Sequence, residues 1–546
     1  MKQIMQLFFL RKPLPFLASV LIALMAFWVT RHSASLNNTQ SCACNHGYGI
    51  DPFEYHLIAA NLALHNQFPV YGFIGPTDEY QICKENTEAR PYLNDLQKAG
   101  PVLFTGRPPV FPLLLGICYK LFGVNLQAFL VLCALCSALL AGLMPYAGYR
   151  LWGKKGLLMG CFSAVLFLLF KNQGSSSINA EYFTKLIAFI CFLTLLIAFR
   201  ERKRKDFFIS GVFLGILLLT KGTFIFLPLL LTFYLLYEGI RQKNFTFIRN
   251  LSFLIGGAFL FIAPWSAYIN IQVGKHQSEM QSWAKRFAAT LPPTIKVNNR
   301  DSLLQQGNYS AAAIDYFNKT QQIVYTTNLH FILITNQVDT EILRSVNNEY
   351  CLDGDFHPEW KLISTSYYNT TYESLSSTSQ ILHFYMEHPV LAAKIFTAKL
   401  QNAFSETPGI FGACVALWGL FVLLPLAGGR SSKLWPFTRI IGAIMMIAIT
   451  IIAFLPHPIS YSPLVLVFLF ALGIFCFPVN LLNYFMAITA AFLLAFIALV
   501  LLIYGDVRFI ANIDGITCFA FMWLLYSCIE VLQVRSPVSM AETNFV

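Results

Sequence analysis

The chain has 546 residues, 56% of them hydrophobic and only 12% charged, with a formal net charge of +11. Soluble domains carry about a quarter charged residues, so a water-soluble globule is excluded and a polytopic α-helical membrane protein is indicated. The excess positive charge sits in short loops between apolar runs and requires no nucleic acid.

Taken in chain order, apolar runs of spanning character fall at roughly 13–30, 126–147, 156–170, 183–199, 207–220, 223–238, 251–269, 409–427, 440–455, 461–479, 482–504 and 514–533. The first follows a basic N-terminus without a small-residue cleavage site, so a retained anchor is expected rather than a cleaved signal. Between the runs lie basic clusters at Arg11-Lys12, Arg150 with Lys154-Lys155, Arg200 to Lys205, Arg241 with Lys243 and Arg249, and Arg430 with Lys433 and Arg439. Assigning every one of these to the cytoplasmic side satisfies the positive-inside rule without adjustment and yields about twelve spans, with both termini inside. The 51 Phe and 24 Tyr suit lipid-facing and interfacial positions.

Three regions follow. Residues 1–270 form an N-terminal transmembrane module with a first outer loop at 31–125, residues 271–408 an outer-face loop or lid domain, and residues 409–546 the C-terminal helices. Cys42, Cys44, Cys83 and Cys351 lie in the outer segments, where an oxidising compartment permits disulfides. Cys42 and Cys44 are too close in sequence to pair with each other, leaving Cys83 and Cys351 as partners for one or both. The Cys-x-Cys could also suggest metal, but no His/Cys set at zinc spacing accompanies it. Sequons at Asn37, Asn308, Asn318 and Asn369 fall outside, and those at Asn244 and Asn250 inside.

The topology brings one set of polar residues to the outer side. Asp51 and Glu54 follow the first span, Arg107 precedes Pro108-Pro109, Glu181 begins the fourth span, and Lys221 ends the fifth. His457 follows the ninth span, and Asp506 with Arg508 the eleventh. Charges at membrane depth are costly and are functional candidates by default, although Arg107 and Arg508 could simply snorkel to the headgroups. Lys221 stands between two apolar runs in a short turn, which leaves little room for such an escape.

From Asp51 toward Val70 the sequence reads as a short amphipathic helix, with Phe53, Leu57, Ala60 and Leu64 on one face and Pro69 ending it. Asp51 before Pro52 suits an N-cap and first-turn pair, so capping competes with any chemical role for this carboxylate and is compatible with it. The run Val110 to Phe122 is too short to cross a bilayer and is expected to lie along the interface.

These pieces resemble the GT-C superfamily of integral-membrane glycosyltransferases, in the branch of protein O-mannosyltransferases and lipid A aminoarabinose transferases. The carriers are Asp51-x3-Tyr55-x3-Ala59, Thr105-Gly106-Arg107-Pro108-Pro109, Asn179-Ala180-Glu181, Gly211-x3-Gly215 leading to Thr220-Lys221-Gly222, Ala263-Pro264-Trp265, and His388-Pro389. They occur in the family's order across about 1–405. Asp506-Val507-Arg508-Phe509 is similar to a family Arg-aromatic segment, and Pro52 stands where the family often has a second acidic residue.

The resemblance implies a donor sugar linked to a polyprenyl phosphate and a glycan, lipid or protein acceptor, with membrane lipids around them. It implies an active site on the periplasmic or extracellular face of a multi-pass inner or plasma membrane. The leaving phosphate ester is stable as an anion, so it needs cations, for which Lys221, Arg107 and Arg508 are the candidates. Asp51 is the candidate base for the acceptor hydroxyl in an inverting transfer, with Glu181, Tyr55 and Glu54 orienting substrate, or Glu181 holding Arg107 or Lys221 by pairing. No cofactor is required by the sequence. A divalent cation is compatible with Asp353-Gly354-Asp355, although such a triplet more often makes a turn. A transporter, flippase or ligase of lipid-linked glycans would share the many spans; a transporter would add internal repeats and broken helices at the midplane.

Overall fold

The computed structural model describes residues 13–37, 50–68, 70–71, 102–103, 108–124, 126–170, 180–290, 322–325, 331–333, 361–364, 409–427, 435–453, 462–476, 481–502 and 511–533, with isolated positions between 382 and 404. Within these, the side chains of Asp51, Phe53 and Glu54 are not described. Arg107, His388, His457, Asp506, Arg508, the four outer cysteines, the Asp353-Asp355 pair and the sequons at Asn308, Asn318 and Asn369 lie outside the described residues.

The protein is an all-α polytopic membrane protein. In chain order its helices are α1 (Pro13–Asn37), α2 (Ile50–His65), α3 (Val110–Phe122), α4 (Leu126–Phe170), α5 (Glu181–Glu201), α6 (Arg204–Leu218), α7 (Leu227–Arg241), α8 (Thr246–Thr290), α9 (Gly409–Ala427), α10 (Trp435–Ala453), α11 (Ser462–Cys476), α12 (Leu481–Leu502) and α13 (Asp514–Gln533). Every expected apolar run coincides with a helix or part of one. Among the described residues, seven helices are long and apolar enough to cross a membrane, and shorter apolar helices accompany them.

The two runs at 126–147 and 156–170 lie within α4, which breaks at Trp152 and Gly153, where Gly153 has φ +66°. The two halves fold back on each other so closely that a Cβ on Gly160 would lie 2.2 Å from the Met144 carbonyl oxygen. A second close approach joins α6 to α8, where a Cβ on Gly211 would lie 2.1 Å from the Leu254 carbonyl oxygen. Small residues allow such backbone contact in membranes, where apolar side chains gain nothing from avoiding lipid.

Helix α8 extends beyond the expected 251–269 run, continuing to Thr290 with Pro264 inside it. Short strands complete the description. Val70–Tyr71 pairs antiparallel with Val102–Leu103, joining two parts of the first loop. Three further strands at 322–325, 331–333 and 361–364 form an antiparallel sheet within the 271–408 segment.

Arg150, Lys155 and Arg200 collect at one end of the bundle. Arg200 donates to the carbonyls of Arg150 and Leu151 (3.1 Å each), Arg150 faces Glu201 (3.5 Å), and Lys155 pairs with Glu530 (3.0 Å). Helix α5 runs from Glu181 to Glu201, 21 residues, so its two ends lie about 30 Å apart, the thickness of a bilayer core.

Candidate active site

The end of α5 opposite the basic cluster holds the expected residues that the structure describes. Helix α6 stops at Leu218 as the chain turns, with the Thr220 hydroxyl donating to the Ile216 carbonyl (2.7 Å) and the Lys221 amide to that of Leu217 (3.1 Å). Lys221 itself is extended (φ −154°, ψ 130°) before a 3-10 turn at Gly222–Phe224. Its ammonium lies 2.8 Å from Glu181 Oε1, and the two side chains are 13% and 14% exposed. Glu181 is the first residue of α5, where the helix dipole favours a carboxylate.

One turn along α5, Lys185 pairs with Asp514 Oδ2 at 2.8 Å, with 6% and 17% of the side chains exposed. Asp514 opens α13. It follows a 3-10 turn at Ala511–Ile513 that packs against α5 and carries the fully buried Asn512. Two nearly dry ion pairs therefore stand on the first two turns of α5. The charges of each pair offset one another's desolvation.

The interfacial helices reach the same place. The Val110 amide, at the start of α3, donates to the Leu219 carbonyl at 3.0 Å, two residues from Lys221. Helix α2 packs along α3 in the same direction: Tyr55 meets Phe111 edge-on (5.1 Å between centroids), a Cβ on Gly116 would meet Leu62, and Lys120 donates to Asn66. The N-terminal ends of α2 and α3 are thus side by side. Asp51 lies in the first turn of α2, one turn before Tyr55.

Helix α2 begins at Ile50, one residue before the expected cap, so Asp51 sits within the first turn and Pro52 follows it there. It ends at His65, short of Pro69, because Asn66 adopts a left-handed conformation (φ 57°) and its amide closes on the Leu62 carbonyl. His56, next to Tyr55, lies 2.7 Å through Nδ1 from the Tyr119 hydroxyl. Burial pushes its imidazole down to about 4, so at neutral pH it is an uncharged hydrogen-bonding partner for Tyr119. Burial likewise raises the Tyr119 hydroxyl well above its usual value.

Trp265 packs against Phe68 (6.0 Å between centroids), and the Tyr268 hydroxyl donates to the Phe68 carbonyl, so the Pro-Trp segment of α8 adjoins the first loop. Arg107 and Arg508 lie outside the described residues, but Pro108 and Pro109 lead into α3 beside Leu219. Tyr55 is 4% exposed, packed between the two interfacial helices.

Residues 106–268 match the family model described as dolichyl-phosphate-mannose-protein mannosyltransferase. Over these residues the chain is similar to a family of GT-C type membrane glycosyltransferases. The match covers less than a third of the chain and includes Arg107, Glu181, Lys185 and Lys221, leaving Asp51 and everything from α9 onward outside it. No curated protein and no solved structure matches the chain. The chemistry of that family is glycosyl transfer from a polyprenyl-phosphate sugar within a membrane.

Sequence reasoning missed Lys185, Asp514 and Asn512. A signal for the first exists: a lone cation in Phe183-Thr184-Lys185-Leu186-Ile187, one helical turn after Glu181. Asp514 and Asn512 carry no comparable mark, because they flank the last apolar run where polar residues are ordinary. Among the described residues no group of three or more His, Cys, Asp or Glu is arranged to hold a metal ion.

Proposed function

We propose that the protein transfers a sugar from a polyprenyl-phosphate donor to an acceptor hydroxyl on the outer face of the membrane, inverting the anomeric carbon. Asp51 takes the hydroxyl proton as the new C–O bond forms and the bond from the anomeric carbon to the phosphate oxygen breaks. The donor phosphodiester carries one negative charge and the departing polyprenyl phosphate carries two, so a cation at the phosphate stabilises the transition state more than the ground state. Lys221 and Arg107 supply that charge from within the matched segment. Glu181 holds the Lys221 ammonium in place until the phosphate arrives, and the 271–408 segment covers the acceptor side.

The observation that carries this reading is the meeting of the Glu181–Lys221 pair with the starts of α2 and α3 through the Val110–Leu219 hydrogen bond. The outer face is supported by the basic residues at the other end of the bundle, since such residues stay cytoplasmic.

Mass spectrometry of envelope lipids, glycans and proteins from cells with and without the chain tests the reading. The expected result is one acceptor lacking a single glycosyl mass, with the sugar-charged polyprenyl phosphate accumulating. An unchanged acceptor profile with only a redistribution of the lipid between leaflets would assign the chain to transport instead.

A further inference from the structure

Asn512 is fully buried, and among the described residues neither its carboxamide nitrogen nor its oxygen has a hydrogen-bond partner. A carboxamide can donate twice and accept twice, and buried polar groups are almost always satisfied. Asn483, buried at the basic end of the bundle, differs: it donates to the Ile474 carbonyl (2.9 Å) and accepts from the Tyr234 hydroxyl (3.0 Å).

Asn512 is also held at a defined place. Its 3-10 turn packs against α5, and two residues later Asp514 is tied to Lys185 at 2.8 Å. Lys185 stands one helical turn from Glu181, which holds Lys221 at 2.8 Å. The turn therefore lies on the helix that carries the ion pair assigned to the donor phosphate. A neutral carboxamide has no advantage for a phosphate, which the cations serve better. It matches a sugar hydroxyl, which both donates and accepts.

We infer that Asn512 recognises the donor's sugar by hydrogen bonds to a ring hydroxyl, with the Lys185–Asp514 pair fixing its turn. This rests on the donor-phosphate reading of Lys221. Asn512 is a specificity residue contributed by the C-terminal helices to a site otherwise built by the matched segment.

The test measures binding of purified full-length protein in detergent to bare polyprenyl phosphate and to a panel of polyprenyl phosphohexoses and phosphopentoses. Wild type is expected to bind one sugar-charged lipid about tenfold more tightly than the bare lipid, the worth of one or two hydrogen bonds. Asn512→Ala removes that preference and leaves bare-lipid affinity unchanged, whereas Lys221→Gln weakens both. Asn512→Leu keeps the volume and loses both donor and acceptor, so it reads the same loss if the alanine variant folds poorly. Unchanged preference in both Asn512 variants overturns the inference, as does an equal loss for bare and charged lipids or a wild type with no sugar preference. Failure of wild type to bind even the bare lipid would instead bring down the phosphate site on which it rests.

Discussion

Lys221 and Glu181 form the pair on which the site turns. Each is about seven-eighths buried and they meet at 2.8 Å, so deleting either strands the other's charge in a poorly hydrated place. Lys221→Ala is expected to lower stability by on the order of 3 kcal/mol and to reduce transfer by about a hundredfold or more, the loss typical of removing one transition-state charge contact. The double variant Glu181→Gln/Lys221→Gln restores most of the stability, because no unpaired charge remains, but not the transfer. Thermal unfolding and turnover on the same purified variants separate the two effects. Recovery of both together would make the pair purely structural. Lys221 was legible in the sequence because a lysine between two apolar runs has few harmless places to go. Its pairing with Glu181 was legible only as one option beside Arg107, since the two residues, 40 positions apart, are brought together by the packing of α5 against α6.

At the scale of elements, close helix contact sets where Lys221 ends up. Helices α6 and α8 touch backbone to backbone. A Cβ on Gly211 would lie 2.1 Å from the Leu254 carbonyl oxygen, and one on Gly257 would lie 2.2 Å from that of Phe208. Gly211→Ala must push the helices apart and is expected to cost about 1–3 kcal/mol, as overpacking does. Gly211→Leu costs more, and both lower transfer by displacing the α6 end that presents Lys221. Thermal midpoints and rates compared with Gly256→Ala provide the check, since a Cβ at Gly256 meets nothing within 4 Å; equal behaviour of the two sites would contradict the close-contact explanation. Helix α3 was readable to its ends, Val110 to Phe122, because prolines precede it and Gly123, at φ 84°, follows it. The far end of α2 was misread because Pro69 is the obvious breaker, whereas the chain stops the helix with Asn66 in a left-handed conformation.

Across the whole molecule, the Lys185–Asp514 pair joins the matched segment to the last helix over a separation of 329 residues. Such a contact leaves no trace in local pattern, which is why the sequence yielded the order of the helices but not this closure. Helix order came from hydropathy, and sidedness was expected from basic loops, of which those carrying Arg150, Lys155 and Arg200 meet at one end of the bundle. Asp514→Asn leaves Lys185, 6% exposed, charged in an apolar setting and is expected to destabilise by about 3 kcal/mol. Lys185→Met/Asp514→Leu recovers most of that, because a packed apolar pair often replaces a buried ion pair without loss. Unfolding in detergent of the two single variants and the double variant measures the coupling. Additive losses would show that the two side chains do not act as a pair.

The central claim is that the first turn of α2 supplies the base at the site built by α3, α5 and α6. Its most direct test is turnover by purified Asp51→Asn protein, using the donor and acceptor found from the cellular glycoconjugates. Asparagine keeps the size of the side chain and its suitability at a helix start while removing the proton acceptor. The expected result is a folded protein with wild-type thermal stability and binding of bare polyprenyl phosphate, and transfer reduced to background. Transfer at the wild-type rate in that variant would contradict the assignment.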